Sequence, residues 1–404
     1  MMGVDWALAD VGCRADARRT RRWWAWTRRC PASTRRNEPT PAVPCAARAD
    51  VGAPFLPRPT AVCSLAMADR SAVSDMAERA MRSTLLTLSH RRALGRLATQ
   101  IPITRPMVQR FVAGESLEEV LPALERLRDR GLHTTLDVLG ESVTAEADAR
   151  AAANRYLLTL DALAAAGLEL NVSLKPSQMG LGISRDLARD NITAIVTRAT
   201  ELGAFVRIDM EDHTTTDATL DLWRAIRPVV DGVGDGAEDT LAPDRPGAPD
   251  VGVVIQAALR RSAGDVESVM AADGRIRLCK GAYMEPSSVA YQDKSEVDAA
   301  YERLMLRLLR AGRYPAIATH DTRLIKRAVD VARDEGIRRD RFEFQMLYGV
   351  RRDVQEQLVD AGWRVRTYVP FGSQWYPYFM RRLAERPANV SFLLRNLWRE
   401  RGRA

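Results

Sequence analysis

Ionisable and amide side chains collect at the ends of short apolar runs in this sequence. Lys175 closes "NVSLK", Asp209 and Glu211 close "VRIDME", Gln256 falls late in "VVIQ", Arg277 and Lys280 lie in "RLCK", and Thr319 and His320 close "AIATH". The chain has 56 arginines and four lysines, so Lys175 and Lys280 mark places where a compact, titratable ammonium is needed and a guanidinium fork would not serve. Each residue also has a plainer reading. Lys175 and Asp209 can satisfy each other, Asp209 can pair with Arg207, Gln256 can bond neighbouring backbone, Arg277 can face solvent, and His320 can be an ordinary hydrogen-bonded histidine. As a set they are harder to set aside, because many polar groups at one end of a fold make a costly charged cavity unless a ligand fills it. A second group stands near the C-terminus. In "WYPYFMRRLAERPAN", Tyr378, Arg381, Arg382 and Glu385 fall at i, i+3, i+4 and i+7, on one stripe of a helix. A solvated stripe is the common reason for such spacing. Two guanidinium groups with a phenol one turn earlier also make a grip for a single carboxylate.

Residues placed this way need strands that end together. From Ser71 to Arg130 the pattern is helical, interrupted by "RFVAG" (110–114). Seven β-rich runs then alternate with helix-length segments: 133–140, 168–176, 205–212, 251–259, 275–283, 314–321 and 342–349. Counting "RFVAG" as the first, eight strands separated by helices predict a (βα)8 barrel of the TIM type, with active sites at the strand C-termini. The competitor is an open doubly wound sheet. Its phosphate-binding turn would need a third glycine that "MGLGIS" lacks. The acidic, Gly- and Pro-rich segment 234–250 reads as a surface loop. After the eighth run come a helical stretch (351–361), an extended run "RVRTYVPFG" and the arginine-bearing helix, which is surplus to the eightfold count.

The net charge of +8 raises the question of a nucleic-acid or membrane partner. Residues 1–66 hold 11 Arg, no Lys and 5 acidic residues, a net of +6, so the remainder carries only +2. This tail, with four of the five cysteines, lacks helical or strand periodicity and reads as disordered. Its apolar run is too short for a signal peptide, and Asp5, Asp10 and Asp16 argue against a transit peptide. A translation start at Met67, opening an amphipathic helix, accounts for it better. The domain expectation is therefore a tail (1–66) and a barrel domain (67–404). The sequence has no CxxC pair and no His/Cys cluster, so neither zinc nor disulfides are expected. No apolar run approaches the length needed to span a bilayer. The expected place is the cytoplasm, free or peripheral to a membrane.

Taken in order, "NVSLKPSQMG", "VRIDMED", "VVIQAAL", "RLCKGAY", "AIATHD", "FEFQMLYG" and "YFMRRLAERPAN" resemble the proline dehydrogenases, including the matching domain of bifunctional proline utilisation flavoenzymes. The resemblance runs from about residue 100 to 397. It implies a barrel holding FAD, with a final helix over its mouth, that oxidises L-proline to 1-pyrroline-5-carboxylate by hydride transfer and passes electrons to a membrane quinone. By matching motifs, Lys175, Asp209, Tyr368, Tyr378, Arg381 and Arg382 would line the proline site. Flavin contacts would fall on Met210, Gln256, Arg277, Lys280, Gly281, Ala282, Thr319, His320 and Glu385. Asp209 and Arg277 match catalytic positions. Cys279 stands where a small aliphatic residue is usual, a departure that touches packing. Tyr368 implies proline over hydroxyproline. The quinone acceptor implies contact with the inner membrane face, and the product implies a separate pyrroline-carboxylate dehydrogenase; no nucleic acid is implied. Two other readings compete: a flavin-free aldolase forming a Schiff base on Lys175, and a basic protein binding nucleic acid or membrane through its Arg-rich tail.

Overall fold

Short runs that are apolar on both faces belong in a sheet covered outside by helices and filled inside by side chains. Seven such runs, and one that the sequence texture disguised, close a parallel barrel in the order β1 to β8, with β8 pairing back onto β1. The computed structural model of the protein describes residues 105–140, 143–231 and 250–384, all within one unit, Leu65–Ala404. The Arg-rich tail, the proposed start at Met67, the helical pattern up to residue 104, nearly all of segment 234–250 and Glu385 lie outside these residues.

The elements run α1 (Arg105–Phe111), α2 (Leu117–Asp129), β1 (His133–Val138), α3 (Glu146–Ala165), β2 (Asn171–Leu174), α4 (Arg185–Glu201), β3 (Phe205–Ile208) and α5 (Thr216–Asp231). They continue β4 (Asp250–Gln256), α6 (Ser262–Ala271), β5 (Ile276–Cys279), α7 (Lys294–Ala311), β6 (Ala316–Ala318), α8 (Thr322–Asp334), β7 (Glu343–Leu347), α9 (Arg352–Asp360), β8 (Val365–Phe371) and α10 (Trp375–Ala384).

Two expectations are corrected here. "RFVAG" is not a strand: α1 ends at Phe111, and the next three residues only flank the end of β8, where Ala113 N donates to Pro370 O at 3.0 Å and Gly372 N to Gly114 O at 2.9 Å. The eighth strand is instead the extended run after α9, Val365–Phe371, in register with β1 from His133↔Arg366 to Val138↔Phe371. As a result α10 is the helix that follows β8, not a surplus one. It still leaves the outer ring. Its apolar side joins α1 in a small core of Val108, Phe111, Val112, Leu139, Trp375, Phe379 and Met380, and Trp375 Nε1 donates to Glu115 Oε1 at 2.9 Å.

The N-terminal end of the barrel is filled by charge. Arg366, 1 % exposed, donates from Nε and Nη2 to Glu343 (2.8 and 3.0 Å) and from Nη1 to Glu169 and the Thr134 carbonyl (both 2.7 Å). Burial pushes the Glu343 carboxyl up, but Arg366 overrides it and holds the group at about 2. Arg207 donates to the carbonyls of Arg275 (2.7 Å) and Val253 (3.3 Å). Gly252 makes room for it: a Cβ there would stand 2.4 Å from Arg207 Nη1 and 2.7 Å from the Arg275 carbonyl. This layer plugs one end of the barrel and leaves the other to chemistry.

Candidate active site

Parallel strands all point one way, so residues late in each strand or just beyond it converge on one mouth. They meet here around a cavity of about 1630 Å³. Its walls include Lys175, Asp209, Met210, Gln256, Arg277, Lys280, Gly281, Ala282, Thr319, His320, Tyr368, Tyr378, Arg381 and Arg382, every candidate except Glu385.

The centre is a compact ionic group. Arg277 Nη1 donates to Asp209 Oδ1 at 2.7 Å, its Nη2 to Ser173 Oγ at 2.8 Å, and its Nε to Gln345 Oε1 at 2.5 Å. Three fixed acceptors leave the guanidinium a single orientation. It points inward, at 6 % exposure, and not into solvent. Asp209 therefore pairs with Arg277 and not with Arg207, which lies at the opposite end of the barrel. Tyr368 Oη donates to Asp209 Oδ2 at 2.9 Å and receives Lys175 Nζ at 3.2 Å. Lys175 stands 3.6 Å from Asp209, but its nearer carboxylate is Asp137 Oδ1 at 2.9 Å. Burial, with the negative charge of Asp137 and Asp209 beside it, pushes the Tyr368 phenol well above its ordinary range.

The remaining strand ends supply a second wall. Gln256 Nε2 donates to the Glu211 carbonyl at 2.7 Å, so half of its amide is committed to backbone. Glu211 accepts from Ser177 N (2.8 Å) and Ser177 Oγ (2.6 Å), tying the β3 loop to the β2 loop. Lys280 is held between Asp298 (2.5 Å) and Asp321 (3.0 Å). His320 Nε2 accepts the Leu347 backbone N–H at 2.9 Å, so Nδ1 carries the ring proton of the neutral tautomer. Thr319 Oγ1 accepts from Asp321 N at 3.1 Å. Burial pushes the Cys279 thiol up to about 12, so it is protonated and inert at neutral pH.

From above, α10 turns Tyr378, Arg381 and Arg382 into the cavity, and the Arg382 guanidinium lies 5.0 Å from the Tyr378 ring centroid. Two cationic forks and a phenol thus face the Lys175–Asp209–Arg277 group across one space.

Known proteins resemble this chain in sequence and in structure. The sequence profile of the proline dehydrogenase family matches residues 120–395. Proline dehydrogenase of Deinococcus radiodurans is 40% identical over 325 residues, covering 80% of this chain and 99% of that protein. The chain belongs to the proline dehydrogenase family. Proline dehydrogenase 1 of Bacillus subtilis (strain 168) is 36% identical over 317 residues, 78% of this chain and 99% of that protein. Among solved structures, proline utilization A from Bdellovibrio bacteriovorus inactivated by N-propargylglycine superposes with a TM-score of 0.60 at 28% identity, over 69% of this chain and 32% of that one. The chain thus spans about a third of that longer protein. As a proline dehydrogenase it oxidises proline to 1-pyrroline-5-carboxylate, and the family is flavin-dependent. That displaces the flavin-free aldolase reading of Lys175. Among the described residues no helix is long and apolar enough to cross a membrane.

Sequence reasoning missed Asp137, Ser173 and Gln345. Asp137 was within reach, since it falls late in "HTTLDVLG" as Asp209 does in "VRIDMED". Gln345 and Ser173 carry no charge, and only their inward facing marks them.

Proposed function

We propose that this proline dehydrogenase works with FAD, held in the cavity at the barrel mouth beside the proline site. The observation that carries this reading is the sharing of one cavity by Tyr378, Arg381 and Arg382 from α10 and by Lys175, Asp209 and Arg277 from the strands. The residues fit the cofactor. Small-ligand pockets run to about 1,000 Å³, and the larger volume here suits a dinucleotide together with an amino acid. Arg110, Lys280, Arg351 and Arg352 among its walls favour a diphosphate. Gly281, at φ +111, keeps the β5 loop low: a Cβ there would approach Ala258 Cβ to 3.2 Å and Gln256 Oε1 to 3.4 Å. Met210, Gln256, Arg277, Lys280, Gly281, Ala282, Thr319 and His320 would hold FAD, joined by Glu385, which lies beyond the described residues.

FAD, when bound, supplies the two-electron acceptor for the ring carbon beside nitrogen. The chain's own residues bind, orient and set charge. Arg381 and Arg382 take the substrate carboxylate, a bidentate grip that fixes which ring face meets the acceptor. Tyr368 and Tyr378 bound the ring. Asp209, locked by Arg277 and Tyr368, offers fixed negative charge on the amine side, and Arg277 and Lys280 offer positive charge on the cofactor side.

In the same proposal electrons leave to a membrane quinone, the protein works in the cytoplasm or at the inner membrane face, and a separate pyrroline-carboxylate dehydrogenase takes the product. Residues 67–404 form the catalytic domain, so a chain lacking residues 1–66 keeps its activity; loss of activity on that truncation would instead favour a function seated in the tail. Anaerobic titration of the purified, flavin-containing protein with L-proline tests the core of the proposal. Bleaching of an FAD spectrum is expected. A protein that carries no FAD, or whose spectrum L-proline leaves unchanged, would overturn it.

A further inference from the structure

Asp137 stands outside every role assigned above, yet it is the nearest carboxylate to Lys175. It is 1 % exposed and reaches the cavity wall from β1. The charged and titratable groups facing it come from several elements: Lys175 beyond β2, Asp209 beyond β3, Tyr368 on β8 and Tyr156 on α3, whose hydroxyl lies 3.5 Å from Oδ1.

The two carboxylates flanking Lys175 are not equivalent. Asp209 accepts Arg277 on one oxygen and Tyr368 on the other, so both of its oxygens are already engaged. Asp137 accepts Lys175 at 2.9 Å and Tyr156 Oη at a long 3.5 Å, both on Oδ1, while its buried Oδ2 accepts no hydrogen bond among the described residues. A buried carboxylate with a free oxygen binds a proton more readily than a solvated one. Burial accordingly raises Asp137 above the ordinary carboxylate range, against the opposing pull of Lys175.

Oxidation at the carbon beside nitrogen requires the nitrogen lone pair, so the substrate ammonium must first lose a proton. We propose that Asp137 is the store for that proton, reached through Lys175. The substrate N–H bond breaks and a new N–H bond forms on Lys175 Nζ; in the same step a Lys175 N–H bond breaks and an O–H bond forms on Asp137 Oδ1. No electrons are transferred, Lys175 keeps its charge, and one positive charge moves from the substrate to the buried carboxylate. The relay rests on the reading of this cavity as the proline site.

The test is anaerobic rapid mixing of flavin-loaded enzyme with L-proline between about pH 6 and about pH 9, comparing wild type with Asp137→Asn. The amide keeps an acceptor for Lys175 but cannot take its proton. The limiting rate of flavin bleaching should fall about a hundredfold at neutral pH and recover as pH rises, because Lys175 must then shed its proton to water. Asp137→Glu should restore part of the rate. Binding of cyclopentanecarboxylate, which has no amine to deprotonate, should change less than about threefold by calorimetry. An Asn variant with the wild-type rate and pH profile overturns the relay. So does one that weakens cyclopentanecarboxylate binding while its limiting rate stays unchanged, because Asp137 would then only hold Lys175 in place. Should the Asn variant not fold, Lys175→Arg decides: it keeps the charge beside Asp137 but never gives up a proton, so a preserved limiting rate refutes the relay. Wild-type enzyme that L-proline fails to bleach sinks the site reading and the relay together, whereas equal bleaching of both proteins sinks the relay alone.

Discussion

Arg277 Nη1 donates to Asp209 Oδ1 at 2.7 Å, joining β5 to the residue that follows β3, with β4 between them. The other two arms of the guanidinium are spent on Ser173 and Gln345, so the pair is held from three sides. Arg277→Lys keeps the charge and loses the fork. We expect kcat for L-proline to fall about tenfold or more, with a smaller change in KM. Steady-state kinetics on protein of matched flavin content gives the answer, and an unchanged kcat would remove Arg277 from the chemistry.

The two arginines of α10 are expected to act on substrate binding instead. Losing one arm of a desolvated charge pair costs about 2 to 5 kcal/mol, so Arg381→Met or Arg382→Met should raise the proline KM roughly thirtyfold or more while the flavin stays bound. The flavin spectrum and KM are read on the same sample. A KM close to wild type in both variants contradicts the clamp.

Phe379 anchors the same helix from its other side, with its ring 5.9 Å from Trp375 and 6.4 Å from Phe111. Phe379→Ala should cost about 3 kcal/mol of packing, felt as local opening of α10 more than as global unfolding. Faster proteolytic cleavage near residue 379 and a raised proline KM are expected together, while the main thermal transition stays put. A drop in that main transition with no local cleavage would show that α10 unfolds only with the barrel.

At the opposite end, Glu343 sets an acid limit on stability. Its carboxyl moves from an ordinary 4.5 to about 2 in the fold, because Arg366 outweighs the effect of burial. Below the ordinary value the unfolded chain binds the proton more readily. The contribution, on the order of 3 kcal/mol, is therefore complete above about pH 4.5 and drains away as pH falls towards about 2. Thermal unfolding followed across that window should show a steep loss in wild type. Glu343→Gln should be less stable at neutral pH and flatter on the acid side; parallel curves would assign the acid loss to other groups.

Much of this was legible in the sequence, and the gaps have physical causes. Lys175, Asp209 and Arg277 announced themselves because a charge at the end of an apolar run has few structural reasons to be there. Strand β8 did not, since Arg366, Thr367, Tyr368 and Pro370 break its apolar texture. Arg366 is tolerated inside the barrel only because Glu343 and Glu169 meet it, and both partners are remote in sequence. "RFVAG" mimics a strand because Phe111, Val112 and Ala113 are apolar in a row, and its last residues bond to the end of β8. The total of eight survived the exchange. Asp137 is as legible as Asp209, since it falls late in the β-rich run 133–140.

The seam between β1 and β8 also fixes when the site comes into being. His133 cannot find Arg366, nor Asp137 sit beside Pro370, until almost the whole chain has been synthesised. Contacts between such distant parts of a chain are the slowest to form and the last to be rewarded. An incomplete nascent chain can gather the earlier strand ends, including Lys175, Asp209 and Arg277, but it lacks Tyr368 and the two arginines of α10. On the roles proposed for these residues, chemical competence arrives with closure of the barrel as a late, single event, and a chain stalled or cut before β8 is expected to be unreactive towards proline instead of partly active.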